Sequence, residues 1–177
     1  MTQLKINVCT YNVFVFKYYY LCTVILNQME ISKEIKQTKF KNEHQKMLIN
    51  ILFTSSWLSS KHAYNLKPYG ISTQQYNLLR ILRGQHPKPA TVNLLIDRML
   101  DKNSNASRLV EKLRLKKLVE RAACAEDRRA VNVVITKKGL DLLIELDKQE
   151  ENFIKELEIL SEKEAKQINL LLDKLRS

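Results

Sequence analysis

Between residues 104 and 135 the spacing of apolar side chains changes from a helical period to a period of two. Apolar residues first recur every three or four positions, which predicts a helix over Ser104–Lys117 with one buried stripe. The members of that stripe are Ala106, Leu109, Val110 and Leu113. Strands are then predicted at Leu118–Ala122 and at 131–135, where apolar residues alternate. The charged segment 124–130 between them predicts the tip of a β-hairpin.

A second short helix is predicted just before this unit, over Thr91–Met99, with Val92, Leu95 and Ile96 facing inward. The polar segment 100–103 reads as a tight turn between the two helices. Two short helices joined by a turn and followed by a hairpin form a winged helix-turn-helix. The second helix of such a pair fits the major groove of duplex DNA, which is about 12 Å wide.

The side chains outside the buried stripe are short polar groups and cations, the types that read base edges and phosphates. The predicted DNA-binding residues of the turn and second helix are Lys102, Asn103, Ser104, Asn105, Ser107, Arg108 and Lys112. The hairpin tip adds Arg128 and Arg129, suited to a narrow minor groove. Lys116 is predicted to contact phosphate, as are Lys102 and Lys112, and Lys88 is a further candidate.

The charge of the chain agrees with a polyanionic partner. Lys and Arg number 30 against 19 Asp and Glu, which gives a net charge of +11 and a pI of about 9.6. The excess lies upstream, because residues 137–177 carry eight basic and ten acidic side chains. No nucleophile elbow, phosphate-binding glycine loop or metal-ligand spacing is found, so we expect no enzyme activity, metal or cofactor. The three cysteines have no redox spacing and predict a reducing, cytoplasmic location.

Residues 1–28 differ from the rest, since Val8–Leu26 is apolar and aromatic without an acidic residue. Lys17 interrupts the apolar run, which disfavours both a signal peptide and a membrane span. The segment is either a genuine extension or an upstream misassignment of a start at Met29. The alternative function is a helical interaction protein that residues 8–26 tether to an anionic membrane. The location of the cations favours DNA over lipid, because residues 1–28 contain only Lys5 and Lys17.

Three short patterns in the hairpin and second helix stand out together. They are Asp127-Arg128-Arg129, the segment 135–139 (Ile-Thr-Lys-Lys-Gly) and the helix pattern of Ser104, Ser107, Arg108, Leu109 and Val110. In this combination the sequence resembles the MarR family of transcriptional regulators. The similarity covers residues 45–177. The resemblance implies that Asp127 structures the wing and Arg129 enters the minor groove. Two departures are Lys117 and Leu100, which stand where the family usually has glycine, so the turns around the helix are expected to differ in shape.

The resemblance also implies an obligate homodimer that binds a pseudo-palindromic DNA site, most often as a repressor. We therefore expect a mainly α fold with a small β-hairpin wing, a winged helix-turn-helix flanked by N- and C-terminal dimerisation helices. Its predicted parts are the extension 1–28, a dimerisation helix in 29–70, the winged domain 71–136 and C-terminal dimerisation helices in 137–177. The predicted dimer interface comprises Leu48, Leu52, Ile154, Ile168, Leu171, Leu172 and Leu175.

Three aromatic residues and a histidine raise the question of a small-molecule site. The resemblance implies a lipophilic or phenolic effector, for which Trp57, His62, Tyr64 and Tyr69 are candidate lining residues. Packing of these side chains in the core or dimer interface is the alternative. Cys124, next to the hairpin tip, is either a passive thiol or a sensor whose oxidation releases DNA.

Overall fold

The computed structural model describes residues 29–123 and 131–177. The chain divides into two compact units with a boundary after Trp57. The described part of the first unit contains α1 (Ile31–Glu34) and α2 (Glu43–Leu66) as far as Trp57. In the second unit the end of α2 is followed by a 3-10 turn (Lys67–Tyr69). The next elements in chain order are α3 (Thr73–Gln85), β1 (Ala90–Thr91), α4 (Val92–Arg98) and α5 (Ala106–Leu115). They are followed by β2 (Val119–Ala123), β3 (Val131–Ile135), α6 (Lys137–Lys155) and α7 (Glu162–Arg176).

Side-chain caps begin most of the helices of the second unit. At α3 the Ser72 hydroxyl accepts from the Gln75 amide at 3.2 Å while the Gln75 side chain accepts from the Ser72 amide at 3.0 Å. The same reciprocal box forms between Ser161 and Glu164 at α7. Each box satisfies two backbone groups that a helix N-terminus otherwise leaves without partners. Both boxes are predicted by the Ser-x-x-Gln and Ser-x-x-Glu spacing and are confirmed.

The core of the second unit lies where α3, α4, α5 and α6 pack around the sheet. Its fully buried side chains include Leu78, Leu79, Leu82, Leu95, Val110, Leu113, Val119, Val133, Leu143 and Leu146. The sheet has the strand order β1-β3-β2 and is antiparallel throughout. The predicted hairpin is confirmed, with Val119 opposite Ile135 and Arg121 opposite Val133.

One element was not predicted, and one local expectation is wrong. The segment before α4 contributes a third strand, because Ala90 pairs with Val133 and Thr91 with Asn132 before Thr91 caps α4. Ile96, expected to face inward, is 36% exposed while Leu95 is fully buried. With seven residues α4 makes only about two turns, so its apolar spacing does not define a single face.

Helix α5 ends in a tight turn built on a left-handed residue, Lys117. Lys117 has φ +60°, its amide donates to Arg114 O at 2.8 Å, and the Leu118 amide donates to Leu113 O at 3.0 Å. This pair of bonds is the Schellman arrangement, which favours glycine at the left-handed position. The turn therefore keeps glycine geometry although its residue is lysine. The predicted helix Ser104–Lys117 is accordingly too long at its C-terminal end.

A close backbone contact joins this turn to the start of α6. Thr136 caps α6 by accepting from the Gly139 amide at 3.1 Å, and its hydroxyl donates to Lys117 O at 2.9 Å. A Cβ at Gly139 would lie 2.4 Å from Leu118 O and 2.7 Å from Ile135 Cγ1. No side chain fits there. The contact therefore explains why glycine follows the capping threonine by three positions in the segment Thr136–Gly139.

Polar contacts join α6 to α3. Arg83 makes two hydrogen bonds to the Asp147 carboxylate, at 2.7 and 3.0 Å. The Glu150 carboxylate accepts from the Tyr76 hydroxyl at 2.7 Å and also pairs with Arg80. The two helices are thus held by charge as well as by the apolar core.

Candidate nucleic-acid interface

The turn before α5 is organised by one carboxylate. Asp101 Oδ1 accepts from the Asn103 amide at 3.0 Å and Oδ2 accepts from the Ser104 hydroxyl at 2.7 Å. The hydrogen bond from Ser104 and then that from Asn103 lower the pKa of Asp101 below its ordinary value, because they favour the charged form. The Lys102 ammonium donates to Asp97 O and Ile96 O at the end of α4. The polar turn predicted from the sequence is therefore a defined structure.

Helix α5 begins at Ala106, two residues later than expected, because Asn105 is its N-cap. Asn105 Oδ1 accepts from the Arg108 amide at 2.9 Å, which leaves the side-chain NH₂ as a donor. Asn103 and Ser104 consequently lie in the turn and not on the helix. Among the predicted base-reading residues, Ser107, Arg108 and Lys112 are the ones on α5.

The exposed face of α5 carries cations that have no partner within residues 29–123 and 131–177. Ser107, Arg108 and Lys112 are exposed, while Ala106, Val110 and Leu113 on the opposite face are at most 2% exposed. The side chains of Arg108 and Lys112 make no ion pair or hydrogen bond in this part of the chain. A buried stripe therefore fixes the helix and leaves a polar, cationic face toward solvent, as a groove-reading helix requires.

A salt-bridge cluster borders this face and joins α5 to β2. The Glu111 carboxylate accepts from Arg114 at 2.8 Å and lies 3.4 Å from Arg121 Nη1. Arg121 Nη2 also donates to Ser107 O at 3.4 Å. The Arg114 hydrogen bond, and then the charges of Arg114 and Arg121, lower the pKa of Glu111 because they favour the charged carboxylate. The negative charge of Glu111 is thus balanced by these two arginines and not by the cations on the exposed face of α5.

Sequence reasoning missed this cluster. The three-residue spacing of Glu111 and Arg114 indicates a pair on one helix face. Arg121 lies on another element, so only the packing of β2 against α5 reveals its contact with Glu111.

The predicted wing residues Asp127, Arg128 and Arg129 lie outside the described residues, as does Cys124. Among the expected phosphate contacts, Lys88 is exposed beside β1 and Lys102 lies in the turn. The Lys116 ammonium donates to Gly70 O, on the side of the 3-10 turn.

Of the four candidate effector-pocket residues, His62 lines a small pocket at the meeting of α2, α3 and α6. The other described lining residues are Asn65, Leu66, Tyr76, Leu146, Gln149, Glu150 and Phe153. The His62 ring stacks on Phe153 at 5.9 Å and meets the edge of Tyr76 at 5.2 Å. Tyr64 is 76% exposed and Tyr69 lines a separate cleft, so His62, Tyr64 and Tyr69 do not line one pocket. Trp57 belongs to the first unit.

Burial sets the protonation of this small pocket. Desolvation lowers the pKa of His62, against the opposing charge of Glu150. Desolvation and the hydrogen bond to Glu150 raise the pKa of Tyr76 to about 12. At neutral pH the pocket therefore presents an uncharged imidazole and a protonated phenol beside one carboxylate.

The residues of the predicted dimer interface are largely uncovered in the single chain. Leu48, Leu52, Ile154, Ile168, Leu171 and Leu175 are between 42% and 62% exposed, and Leu172 is half-buried. Within the described ranges no helix is long and apolar enough to cross a membrane. The same residues contain no group of three or more His, Cys, Asp or Glu side chains that could hold a metal ion.

Comparison with known proteins relates this geometry to one family. Residues 69–130 match the model of the MarR family. No curated protein sequence matches the chain. Three similar solved structures are a MarR-like transcription regulator from Bacillus cereus ATCC 10987, a MarR transcription factor from Planctomyces limnophilus and S. aureus MepR in complex with DNA.

The three structures resemble the chain over most of its length. Sequence identities are 22%, 27% and 23%, TM-scores are 0.68, 0.60 and 0.67, and the alignments cover 76%, 76% and 77% of this chain. They cover 96%, 98% and 97% of the respective solved chains. The mostly helical fold with a small antiparallel sheet is the one these regulators share. The described residues thus share the winged helix-turn-helix fold of these three structures, and residues 69–130 match the MarR family.

Proposed function

We propose that the protein is a transcriptional regulator that binds double-stranded DNA sequence-specifically. The observation that carries this proposal is the outer face of α5, where Arg108 and Lys112 stand exposed and unpaired within the described residues. Arg108 is suited to the O6 and N7 acceptors of guanine, and Lys112 to a phosphate or a base edge. The match of residues 69–130 to the model of the MarR family supports the same function.

The turn before α5 supplies the next contacts. Asn105 keeps its NH₂ group for a base edge or phosphate, and Asn103 and Ser104 present polar groups from the turn that Asp101 holds. Lys102 neutralises a phosphate at the groove edge. We further propose that Arg128 and Arg129 reach the minor groove beside the major-groove site, with Asp127 structuring the wing.

The DNA-binding species is proposed to be a homodimer in the cytoplasm. Apolar side chains on α2 and α7 are exposed in the single chain, and a second copy would remove them from water. A two-fold dimer presents two recognition helices, so the site is a pseudo-palindrome with half-sites about 10 bp apart. The MepR structure contains DNA bound to that related protein.

Regulation is proposed to be repression relieved by a small lipophilic or phenolic effector. The small pocket lined by His62, Tyr76 and Phe153 lies between α3 of the winged segment and α6. An aromatic ligand that separates His62 from Phe153 would move these helices apart and change the spacing of the recognition helices. A panel of phenols that leaves both DNA affinity and the melting temperature unchanged would refute this step.

The test of DNA binding is selection from a random duplex library with the full chain at two salt concentrations. We expect a two-fold symmetric site whose affinity falls steeply with salt, because phosphate contacts release counterions. The full chain keeps residues 124–130, which carry the proposed minor-groove contacts. Sequence-blind, weak binding at both salt concentrations would contradict the proposal.

Two variants separate base reading from phosphate contact. Arg108→Ala should weaken the selected site by about 1–3 kcal/mol and relax preference at one base pair. Lys112→Ala should weaken all sequences alike and reduce the salt slope by about one unit if it contacts phosphate. Lys148→Ala is the matched control, because this exposed lysine lies on α6 in the acidic C-terminal segment. Equal changes in DNA affinity for all three substitutions would show that α5 is not part of the DNA interface.

A further inference from the structure

One apolar side chain stands exposed in the otherwise polar turn between α4 and α5. Leu100 is 88% exposed, whereas residues 101–104 after it are all polar. Met99, the residue before it, is 2% exposed and caps the C-terminal end of α4. A single exposed leucine is ordinary on a protein surface, so its meaning depends on how it is held and on what lies beside it.

The backbone on both sides of Leu100 is fixed by hydrogen bonds. The Met99 amide donates to Leu95 O at 3.0 Å, and the Leu100 amide donates to Asn77 Oδ1 on α3 at 3.0 Å. The carboxylate of Asp101 then holds the rest of the turn. The leucine is therefore presented from an ordered backbone, and less conformational freedom is lost when it makes a contact.

Leu100 lies close to the residues that we propose to contact DNA. The Ser104 amide donates to Asp101 O at 3.3 Å, and a turn closed in this way keeps the Cα atoms of its first and last residues within about 7 Å. One further Cα step of about 3.8 Å brings Leu100 within about 11 Å of Ser104. This distance corresponds to about three base-pair steps of DNA. A leucine placed there can reach a base pair at the edge of the same half-site.

The chemistry of the major groove offers one apolar feature that differs between base pairs. It is the C5-methyl group of thymine. The deoxyribose is also apolar, but every nucleotide carries it, so a contact with the sugar holds no sequence information. The predicted dimer interface does not account for Leu100, because its residues lie on α2, α6 and α7. Glycine, which the MarR family usually has at this position, has no side chain to make such a contact.

We propose that Leu100 reads a thymine at the edge of each half-site by packing against its C5-methyl group. The proposal rests on the proposed function, because it needs the DNA site that α5 binds. It adds one apolar contact to the polar contacts of α5 and the turn. Removing a methyl group from such a contact is expected to weaken binding about three- to fivefold for each half-site.

The experiment replaces each thymine of the selected duplex in turn by deoxyuridine, which lacks only the C5-methyl group. Fluorescence anisotropy measures the Kd of the full parent chain and of Leu100→Ala for every duplex. For the parent chain we expect one thymine in each half-site at which deoxyuridine weakens binding about three- to fivefold. Leu100→Ala should bind the thymine duplex more weakly by a similar factor and should not distinguish thymine from deoxyuridine at that position.

Two controls separate this contact from a general effect of the substitution. Leu115→Ala is the matched control, because this leucine is 69% exposed at the opposite end of α5. It should keep both the parent affinity and the full effect of deoxyuridine. Leu100→Ala should melt at the temperature of the parent chain, because the side chain that it removes is exposed to solvent.

The outcomes that contradict the proposal are distinct from those that contradict the proposed function. A Leu100→Ala protein that keeps the parent ratio of Kd values for thymine and deoxyuridine at every position would overturn the role of Leu100. An equal loss of affinity on all duplexes would indicate a contact with the sugar–phosphate backbone and would also overturn it. Failure of the library selection to give a two-fold symmetric site would refute the proposed function, and this proposal with it.

Discussion

At the scale of single residues, the backbone around α5 shows which departures from a family pattern matter. Lys117 replaces the usual glycine and yet has φ +60°, so the turn shape expected to change is retained at this position. Leu100, the second departure, is 88% exposed, and its amide donates to Asn77 Oδ1 at 3.0 Å. Both positions therefore differ in residue type from the glycine usual in the family. The turn at Lys117 nevertheless keeps the left-handed backbone conformation that glycine favours.

Gly139 should tolerate no side chain. Gly139→Ala would place a methyl group against Leu118 O and the Ile135 side chain and should lower the free energy of unfolding by about 1–3 kcal/mol. Urea denaturation measures the change. Gly84→Ala is the matched control, since nothing lies within 4 Å of its Cβ position in α3, and it should raise stability by about 0.5–1 kcal/mol. Equal destabilisation by both would contradict the contact.

Local signals were the ones that the sequence predicted well. The caps at Ser72 and Ser161 depend on residues within three positions, and both are present. The N-terminus of α5 was placed too early because Ser104 and Asn105 are both good caps, and only the structure shows that Asp101 takes the Ser104 hydroxyl.

At the scale of elements, the contacts between α3 and α6 combine burial with charge. Arg83 and Asp147 are separated by 64 positions, so no sequence spacing predicts their pairing. The same holds for β1, whose partner Val133 lies more than forty residues away. Elements were predictable from periodicity, whereas long-range partners depended on packing.

The Arg83–Asp147 pair should make the free energy of unfolding depend on pH below about 4. The Arg83 hydrogen bond, and then the charges of Arg83 and Arg80, lower the pKa of Asp147 from its ordinary value of 3.8. Its folded pKa lies below its unfolded one, so the stabilisation is present above about pH 4 and is lost as the pH falls through the folded value. The carboxylate is partly exposed, which limits the contribution to about 0.5 kcal/mol.

Asp147→Asn should therefore lower the free energy of unfolding at pH 7. It should also make the free energy of unfolding decrease less steeply as the pH is lowered below about 4. Denaturant titrations at a series of pH values measure both effects. Asp141→Asn is the control, because Asp141 pairs with Lys137 one turn away on the same helix. An acid dependence that is identical in Asp147→Asn and the parent chain would rule the pair out as its source.

At the scale of the whole molecule, exposed apolar side chains are the main feature that a single chain leaves unexplained. The heptad-like spacing on α7 predicted a stripe, and Ile168, Leu171 and Leu175 are 42–58% exposed. A symmetric second copy would cover such a stripe with its own. The two-unit division of the chain adds no constraint on that arrangement.

Leu171→Asp should convert the proposed dimer into a monomer, because a carboxylate buried in an apolar interface loses its hydration without a partner. Sedimentation equilibrium measures the mass, and the DNA affinity should fall in parallel. Leu115→Asp is the matched control for the mass, since this leucine is 69% exposed and lies at the end of α5, outside the proposed dimer interface. A Leu171→Asp protein that retains twice the chain mass would remove α7 from the interface.

The contact at Gly139 has a mechanical consequence. Because α6 begins against Leu118 O and its cap binds Lys117 O, the C-terminal end of α5 is anchored to the first turn of a helix about 28 Å long. A tilt of α6 would therefore turn α5 with it. A small displacement at the far end of α6 would become a rotation of the helix that we propose to read bases.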